Sequence, residues 1–384
     1  MPTAIRAGLA FGTAAVVALS GLAFWHGGDV KAANITSATA TNVVPLRHQS
    51  EKPPPVELQA SLERLGRSLD GRVGIAVRDV GDSWSAGHNA GELFPQQSVS
   101  KLWVAMTLLD AVDHGAISLD EAIIVTPDDL TLFNQPIRKL VGDSGYKTTL
   151  RGLLTRALVE SDNTANDVLL RRVGGPVAVK AMLARKGVDS IAFGPGERVQ
   201  QTATAGLAWN PEFSDAGTFR RARAALQMEA RKQALDAYLV APPDGASPDG
   251  VARALAALHN GTLLSRTSST LLLDTMAASR TGHRRLRAGL GQGWQIAHKT
   301  GTGQELGNLA TGFNDVGLLT ARSGRVYAVG VMISHSRSPI ESRQALIANV
   351  ARAVVAYEEP QAIPNEDIRV AATGAAISPR RSAQ

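Results

Sequence analysis

Residues 96–112 read QQSVSKLWVAMTLLDAV, and this stretch decides how the rest of the chain is interpreted. Its apolar residues recur with helical spacing from 102 to 112. A helix that begins at Ser98 places Ser98 and Lys101 on one face, one turn apart. The positive end of a helix favours an alkoxide, and an amine in a partly desolvated cleft can lose its proton near neutral pH. The stretch therefore predicts a serine nucleophile that is activated without histidine.

The motif Ser-x-x-Lys is short and occurs twice. The second copy is Ser144-Gly145-Tyr146-Lys147, in a glycine-containing loop that no apolar periodicity follows. We interpret that copy as a chance match, since short motifs have many false positives. The assignment of Ser98 therefore depends on partners further along the chain.

Composition excludes several classes of protein. The chain has 384 residues, enough for one large domain or two smaller ones, and a net charge of +6. Its basic clusters lack the aromatic or zinc-finger pattern of nucleic-acid binding, so no nucleic-acid partner is expected. There is no cysteine, hence no disulfide or thiol chemistry. The eight histidines are scattered and none falls in a metal-ligand motif, so we expect no metal and no cofactor.

The N-terminus has the character of a targeting segment. Residues 7–25 carry no charge, and Val30-Lys31-Ala32 is a small-x-small cleavage site. The uncharged run is nearly long enough to span a bilayer, so residues 1–32 are either a signal peptide or a retained anchor. Residues 33–56 read as a linker and residues 359–384 as a disordered tail. We expect an exported protein, periplasmic or anchored to the inner membrane, with no other membrane contact.

The segments between 57 and 358 predict helices and strands in blocks. Helical spacing covers 57–70, 148–160, 164–173, 177–186, 218–239, 248–258, 269–279 and 341–357. Strand patterns cover 72–80, 83–86, 294–300, 312–320 and 326–334. Residues 187–217 have no clear period and are predicted to be a long loop. Strands at both ends of the chain indicate an α+β fold with one antiparallel sheet.

Three further motifs follow the Ser98 stretch in order. Ser161-Asp162-Asn163 lies at a break between two helices, Glu197 in the long loop, and Lys299-Thr300-Gly301 at the end of a strand. Over residues 57–358 the chain thus resembles the class A serine β-lactamases. The resemblance implies a β-lactamase/transpeptidase-like fold: an antiparallel five-stranded sheet flanked by helices, plus an all-helical subdomain.

The resemblance also implies catalytic roles for four residues. Ser98 would attack the lactam carbonyl, and Ser161 would pass a proton to the departing nitrogen. Glu197 would activate the water that hydrolyses the acyl-enzyme. Either Lys101 or Glu197 is the base for acylation, and the residues leave this choice open.

A further set of residues is implied to bind substrate. Asn163 would hold the substrate amide, Lys299 would attract its carboxylate, and the backbone N–H of Thr302 would complete the oxyanion hole with that of Ser98. Arginine is a good carboxylate clamp, and an aromatic wall suits the pocket. The substrate-binding candidates are Asn163, Gln201, Lys299, Thr300, Gly301, Thr302, Arg337, Arg285 and Phe133. A buried core phenylalanine is the simpler interpretation of Phe133.

The chain departs from the family pattern around Glu197. Gln201 falls where the family has a water-positioning asparagine, and Pro195 where it has an arginine that pins the loop. The interval from Glu197 to Lys299 is longer than the resemblance implies, and the excess, about 207–244, is an insertion expected beside the pocket.

The expected activity is hydrolysis of small-molecule β-lactams by a monomer, and two alternatives stay open. A D-alanyl-D-alanine carboxypeptidase or transpeptidase would be inhibited by β-lactams and generally lacks a residue such as Glu197. A non-catalytic β-lactam or peptidoglycan-binding sensor would be acylated and stay so. The lifetime of the acyl adduct separates the three.

Overall fold

The structure is a computed structural model, and it describes residues 52–82 and 84–360. The predicted targeting segment 1–32, the linker up to residue 51 and the tail after residue 360 lie outside the described residues. Within the described part of the chain, none of the helices combines the length and the apolar character that crossing a bilayer requires.

Eleven α-helices occur in the described residues. They are α1 (Val56–Arg67), α2 (Lys101–Asp113), α3 (Leu150–Thr155), α4 (Asn163–Arg172), α5 (Gly175–Arg185), α6 (Glu197–Thr204), α7 (Ala216–Ala225), α8 (Met228–Val240), α9 (Pro248–His259), α10 (Arg266–Ala277) and α11 (Ile340–Glu358). Helix α3 continues directly into a π-helical turn, Arg156–Glu160.

The strands form one large antiparallel sheet and two small pairs. They are β1 (Gly71–Asp79), β2 (Ser85–His88), β3 (Phe94–Pro95), β4 (Ala122–Val125), β5 (Tyr146–Thr149), β6 (Gly245–Ala246), β7 (Gln295–Thr302), β8 (Glu305–Leu306), β9 (Leu309–Thr320) and β10 (Val326–Ser336). Five strands lie side by side in the order β2-β1-β10-β9-β7, and the short β8 pairs with β9. The predicted α+β fold, with one sheet built from both ends of the chain, is confirmed.

Side-chain alternation along β1 assigns the two faces of the sheet. Val73, Ile75 and Val77 pack with α1 and α11 on one face, whereas Ala76 belongs to the apolar cluster that contains α2 and α9 on the other. Each buried aliphatic side chain contributes roughly 1.5–3 kcal/mol relative to exposure. Both faces of the sheet are therefore covered.

Helix α2 is buried on all sides, not only on the predicted apolar face. Every residue from Lys101 to Asp110 is buried, and its neighbours are α4, α5 and α10. A helix that is enclosed in this way belongs to the core. Its first residue, Lys101, is consequently held in a rigid and dry environment.

The prediction of a structureless loop over 187–217 was wrong in part. Residues Glu197–Thr204 form α6, and Pro211–Ser214 form a 3₁₀ turn. Helix α6, with the sequence ERVQQTAT, contains good helix formers but is too short to show a clear helical period. Its first N–H groups instead bond to Asp167 on α4, and a contact of that kind cannot be recognised from sequence periodicity.

The single helix predicted over 218–239 is two helices. Leu226 and Gln227 have extended backbone conformations between α7 and α8. Neither is proline or glycine, so the sequence carries no break signal. Leu226 packs toward Gly206, and this tertiary contact accompanies the break.

Candidate active site

The candidate nucleophile contacts a buried amine. Ser98 lies in the 3₁₀ turn Gln97–Ser100, directly before α2, rather than in the α-helix itself. Lys101 has no exposed surface, and its Nζ donates to Ser98 Oγ at 2.7 Å, to Asn163 Oδ1 at 2.9 Å and to Glu197 Oε1. These acceptors match the three N–H bonds of an ammonium group. The amine is therefore fixed against both the hydroxyl and the carboxylate.

The Ser161-Asp162-Asn163 turn is shaped by its middle residue. Asp162 accepts from the backbone N–H of Ala165 at 2.9 Å and of Ile137 at 2.6 Å, and so caps α4. Burial raises the pKa of the Asp162 carboxyl. Ser161 has a left-handed φ of 58°, a conformation that is costly for a non-glycine residue. The turn directs Ser161 and Asn163 toward one cleft.

Lys299 approaches the same cleft from the sheet. It lies on β7, an edge strand, and its Nζ donates to Ser161 Oγ at 2.8 Å and to the carbonyl of Thr300 at 3.0 Å. Burial, and then the charge of Lys101, lower the pKa of Lys299 well below its usual value. A Cβ at Gly301 would lie 2.4 Å from the carbonyl oxygen of Gln96, so only glycine permits this close approach.

Arg285 supports β7 from behind. Its guanidinium donates to the carbonyls of Gly301 at 2.9 Å and Asn314 at 2.6 Å, and to Thr302 Oγ1 at 2.6 Å. It lies 3.7 Å from the ring centroid of Phe313. Burial lowers the pKa of Arg285 to about 10. Because Arg285 is buried and Thr302 is exposed, the guanidinium orients the threonine hydroxyl that borders the cleft.

Glu197 begins α6 and is held by a residue that the sequence reading missed. Asp167 accepts from the backbone N–H of Glu197 at 3.0 Å and of Arg198 at 3.2 Å. Burial, and then the charge of Glu197, raise the pKa of Asp167 to about 6. Asp167 lies one helical turn after Asn163 on α4, and that spacing was the available signal.

The raised pKa of Asp167 predicts a specific pH dependence. An acid whose folded-state pKa is raised stabilises the fold below its unfolded value of about 3.8, and this contribution is lost as the pH rises through about 6. Asparagine cannot ionise, so the variant Asp167→Asn does not lose stability in this way as the pH rises. Its unfolding free energy relative to wild type should therefore increase between pH 4 and pH 7, by at most about 3 kcal/mol. Urea unfolding at several pH values measures this difference.

Asp215 is the matched control for that experiment. It caps α7 through the backbone N–H of Thr218, and this hydrogen bond lowers its pKa. The sign is therefore opposite: Asp215→Asn should lose stability relative to wild type as the pH rises toward the unfolded value of about 3.8, with no further change at higher pH. Parallel pH curves for wild type and Asp167→Asn would contradict the assignment.

Gln201 lies one turn after Glu197 on α6 and faces it. Its Nε2 donates to Glu197 Oε2 at 3.3 Å and to Gln97 Oε1 at 3.2 Å. The backbone carbonyl of Gln201 accepts from Gln304 Nε2 at 2.7 Å. The carboxylate of Glu197 thus lies between an amine and an amide.

The predicted insertion contributes to the rim and the floor of the cleft. Phe133 is 45% exposed and meets Phe219 of α7 edge-on at 5.2 Å, so the interpretation as a core residue was wrong. The preceding carbonyl, of Leu132, accepts from Asn163 Nδ2 at 2.9 Å. Further along, Tyr238 and Asp244 are buried beside Gln97. The sequence reading singled out none of Phe219, Tyr238 and Asp244, because their proximity depends on how α7 and α8 fold back.

Arg337 is not brought to this cluster. Thr302 on β7 pairs with Phe313 on β9, and Phe313 pairs in turn with Ile333 on β10. Arg337 lies further along, directly after Ser336, the last residue of β10. Its charge contributes to lowering the pKa of His335. The prediction that Arg337 binds substrate is therefore not supported by its position.

No group of three or more His, Cys, Asp or Glu side chains suited to a metal ion occurs within residues 52–82 and 84–360. The chemistry that the cluster offers is acyl transfer: a hydroxyl against an amine, a second hydroxyl against another amine, and a carboxylate beside both an amine and an amide.

Comparison with known proteins agrees with this geometry. Residues 57–358 match the profile of the Beta-lactamase enzyme family. Extended-spectrum β-lactamase PER-1 of Pseudomonas aeruginosa is 29% identical over 303 residues, which are 78% of this chain and 87% of that protein. A β-lactamase of Streptomyces cellulosae is 30% identical over 259 residues, 67% of this chain and 71% of the relative.

Solved structures give the same result. A β-lactamase from Chitinophaga pinensis superposes with a TM-score of 0.65 at 27% identity, covering 78% of this chain and 99% of that one. The TLA-3 extended-spectrum β-lactamase also has a TM-score of 0.65, at 25% identity, and covers 78% of this chain and 98% of its own.

Proposed function

Because this chain belongs to the β-lactamase enzyme family and is a serine β-lactamase, we propose that Ser98 carries its acyl-enzyme and that Glu197 and Gln201 hold the water that hydrolyses it. The observation that carries the proposal is the position of Glu197. Its carboxylate is buried and bonded to Lys101, which in turn bonds to Ser98 Oγ. Glu197, the proposed base for deacylation, is thus separated from the nucleophile by one hydrogen-bonded side chain, that of Lys101.

In acylation, Ser98 Oγ attacks the lactam carbonyl, and the C–N bond of the ring breaks. The hydroxyl proton leaves along the hydrogen-bonded path through Lys101 to Glu197, which contains both candidate bases. Ser161, bonded to Lys299, delivers a proton to the departing ring nitrogen, and the proton taken up at Glu197 then replaces that of Ser161, so that Glu197 is a carboxylate again. The charge of Lys299 and the oriented hydroxyl of Thr302 suit the substrate carboxylate.

In deacylation, Glu197 removes a proton from water, and the resulting hydroxide attacks the ester carbonyl. Gln201 donates to one oxygen of Glu197, and Lys101 bonds to the other. A carboxylate that is fixed at both oxygens presents a defined lone pair to the water, and such positioning lowers the barrier. The ester bond breaks, the substrate acid leaves, and Ser98 regains its proton.

Intact-protein mass spectrometry during reaction with ampicillin tests this function. Wild-type protein should show a transient adduct of one ampicillin per chain, while hydrolysed ampicillin accumulates in large excess over protein. An adduct that persists, with no excess of product, would instead indicate the carboxypeptidase or the sensor.

We also propose that the protein is exported and acts as a monomer on small-molecule β-lactams in the periplasm, free or held by its N-terminal segment. The uncharged run over 7–25 supports export. Cell fractionation of the full chain tests this: recovery from the cytoplasm alone would contradict export, and a dimeric mass in solution would contradict the monomer.

A further inference from the structure

A buried chain of hydrogen bonds links the insertion to the catalytic loop. Tyr238 of α8 donates to Asp244 Oδ1 at 3.0 Å, and Gln97 Nε2 donates to Tyr238 Oη at 2.7 Å. Gln97 Oε1 then accepts from Gln201 Nε2 at 3.2 Å, and Gln201 Nε2 also donates to Glu197 Oε2 at 3.3 Å. The five residues are all buried, with at most 7% exposure.

The donor-to-acceptor direction of these hydrogen bonds is set at Asp244 and Tyr238, the end that lies in the insertion. Burial raises the pKa of Asp244 to about 6, so above that pH Asp244 is a carboxylate that only accepts hydrogen bonds, and the hydroxyl proton of Tyr238 must point to it. The oxygen of Tyr238 is then left as an acceptor, and the Gln97 amide must turn its NH₂ group toward it. Its oxygen consequently faces Gln201, whose NH₂ group lies between Gln97 and Glu197 while its oxygen accepts from Gln304 Nε2 at 3.3 Å.

Gln97 has little freedom to find another arrangement. Its backbone φ is 53°, its N–H donates to Asp244 Oδ2 at 2.8 Å, and it immediately precedes Ser98. Its side chain lies against Gly303 and Gly312, where an added Cβ would come within 3.0 Å of it. The rotamer is therefore confined, and the amide orientation is the remaining variable.

We propose that Tyr238 is a positioning residue for deacylation: its hydroxyl fixes the amide orientation of Gln97 and, through it, that of Gln201 beside Glu197. This inference rests on the proposed roles of Glu197 and Gln201. Without the hydroxyl, the Gln97 amide can reverse and present NH₂ to Gln201. Gln201 then loses its acceptor or turns its oxygen toward the Glu197 carboxylate, and in either case the water is held less well.

The variant Tyr238→Phe tests this with little change of shape. At pH 8, deacylation measured by stopped flow and intact mass should be about 10-fold slower, because one buried amide loses its acceptor. Acylation should change less than about 2-fold, since the bonds of Lys101 to Ser98 and Glu197 remain. The fraction of chains that carry the adduct at steady state should rise accordingly.

Tyr327→Phe is the matched control. Tyr327 is also a buried tyrosine whose hydroxyl bonds to a carboxylate, that of Glu358, but it lies in the aromatic cluster with Trp84 and Trp294. The Tyr327→Phe variant should have a lower melting temperature and unchanged rates of acylation and deacylation. Equal rates in wild type, Tyr238→Phe and Tyr327→Phe would overturn the inference.

A double-mutant cycle tests the route, and Gln97→Met alone keeps it testable if Tyr238→Phe folds poorly. Gln97→Met removes the same link from its other side and should slow deacylation itself. Adding Tyr238→Phe to Gln97→Met should slow it no further, whereas independent effects would show that Tyr238 acts elsewhere.

Gln201→Leu separates the two proposals. If it deacylates at the wild-type rate, the proposed role of Gln201 fails, and the route through it fails with it. If Gln201→Leu is slow and Tyr238→Phe is normal, only the inference about Tyr238 fails.

Discussion

Glu197→Gln converts a transient acyl-enzyme into one that accumulates. The amide keeps the volume and an oxygen for Lys101 Nζ, but it cannot take a proton from water. Loss of a general base costs typically about 10²–10⁴ in rate. With a penicillin, the variant should release one equivalent of product per chain in a burst and then nearly stop, and the intact mass should show a stoichiometric adduct.

The structure makes glutamine a better choice than alanine at this position. Lys101 has no exposed surface, and alanine at position 197 would leave its ammonium with neither a counter-charge nor the hydrogen-bond acceptor that glutamine keeps. Such a loss is strongly destabilising, by roughly 3–5 kcal/mol. Poor folding of Glu197→Ala would therefore be uninformative about the chemistry, whereas Glu197→Gln isolates the proton transfer.

Glu212→Gln is the control for the same experiment. Glu212 is the next carboxylate in that segment and is exposed in a 3₁₀ turn. The Glu212→Gln variant should hydrolyse the penicillin at the wild-type rate. Wild-type turnover by Glu197→Gln would refute the role of Glu197 as the base for deacylation. A burst followed by arrest in Glu212→Gln would assign that role to Glu212 instead.

Ser98→Ala abolishes both turnover and covalent labelling. Loss of a nucleophilic serine lowers kcat by on the order of 10⁶ in hydrolases of this kind. Nitrocefin hydrolysis should fall to the detection limit, and a fluorescent penicillin should leave no labelled band. The bonds among Lys101, Asn163 and Glu197 do not depend on the serine hydroxyl, so the melting temperature should change little.

The second Ser-x-x-Lys copy supplies the control. Ser144 and Lys147 are both exposed, whereas Lys101 is buried. The Ser144→Ala variant should hydrolyse nitrocefin, and be labelled by the fluorescent penicillin, as wild type is. Labelling that persists in Ser98→Ala and disappears in Ser144→Ala would show that the wrong copy had been chosen.

Sequence reasoning worked where short-range pattern and order along the chain suffice. The alternation in 72–80 predicted β1, and the apolar spacing after Ser98 predicted α2. The ordered motifs led to Ser161, Glu197 and Lys299, which the structure gathers around Ser98 and Lys101. Each of these residues belongs to a local signal that is legible without knowledge of the fold.

It failed where a side chain acts across the fold. Asp167 lies within an ordinary helix, and its role depends on α6 beginning against α4. Tyr238 has no motif around it, and its contact with Gln97 joins residues that are 141 positions apart in the chain. Arg337 was selected for its charge and its place after a strand, yet the register carries it past the cleft. Register and long-range packing were the missing information in each case.

The order of the strands has a consequence for how the chain reaches its native state. The central pair joins β1 to β10, with Gly71 opposite Ser336, so the sheet closes around nearly the whole described sequence. Contacts of such long sequence separation make folding slow, because loop-closure entropy must be overcome first. An emerging chain lacks the second partner of β1 until β10 has been synthesised. The large sheet cannot be complete before then, and one edge of β1 stays unpaired for that whole interval.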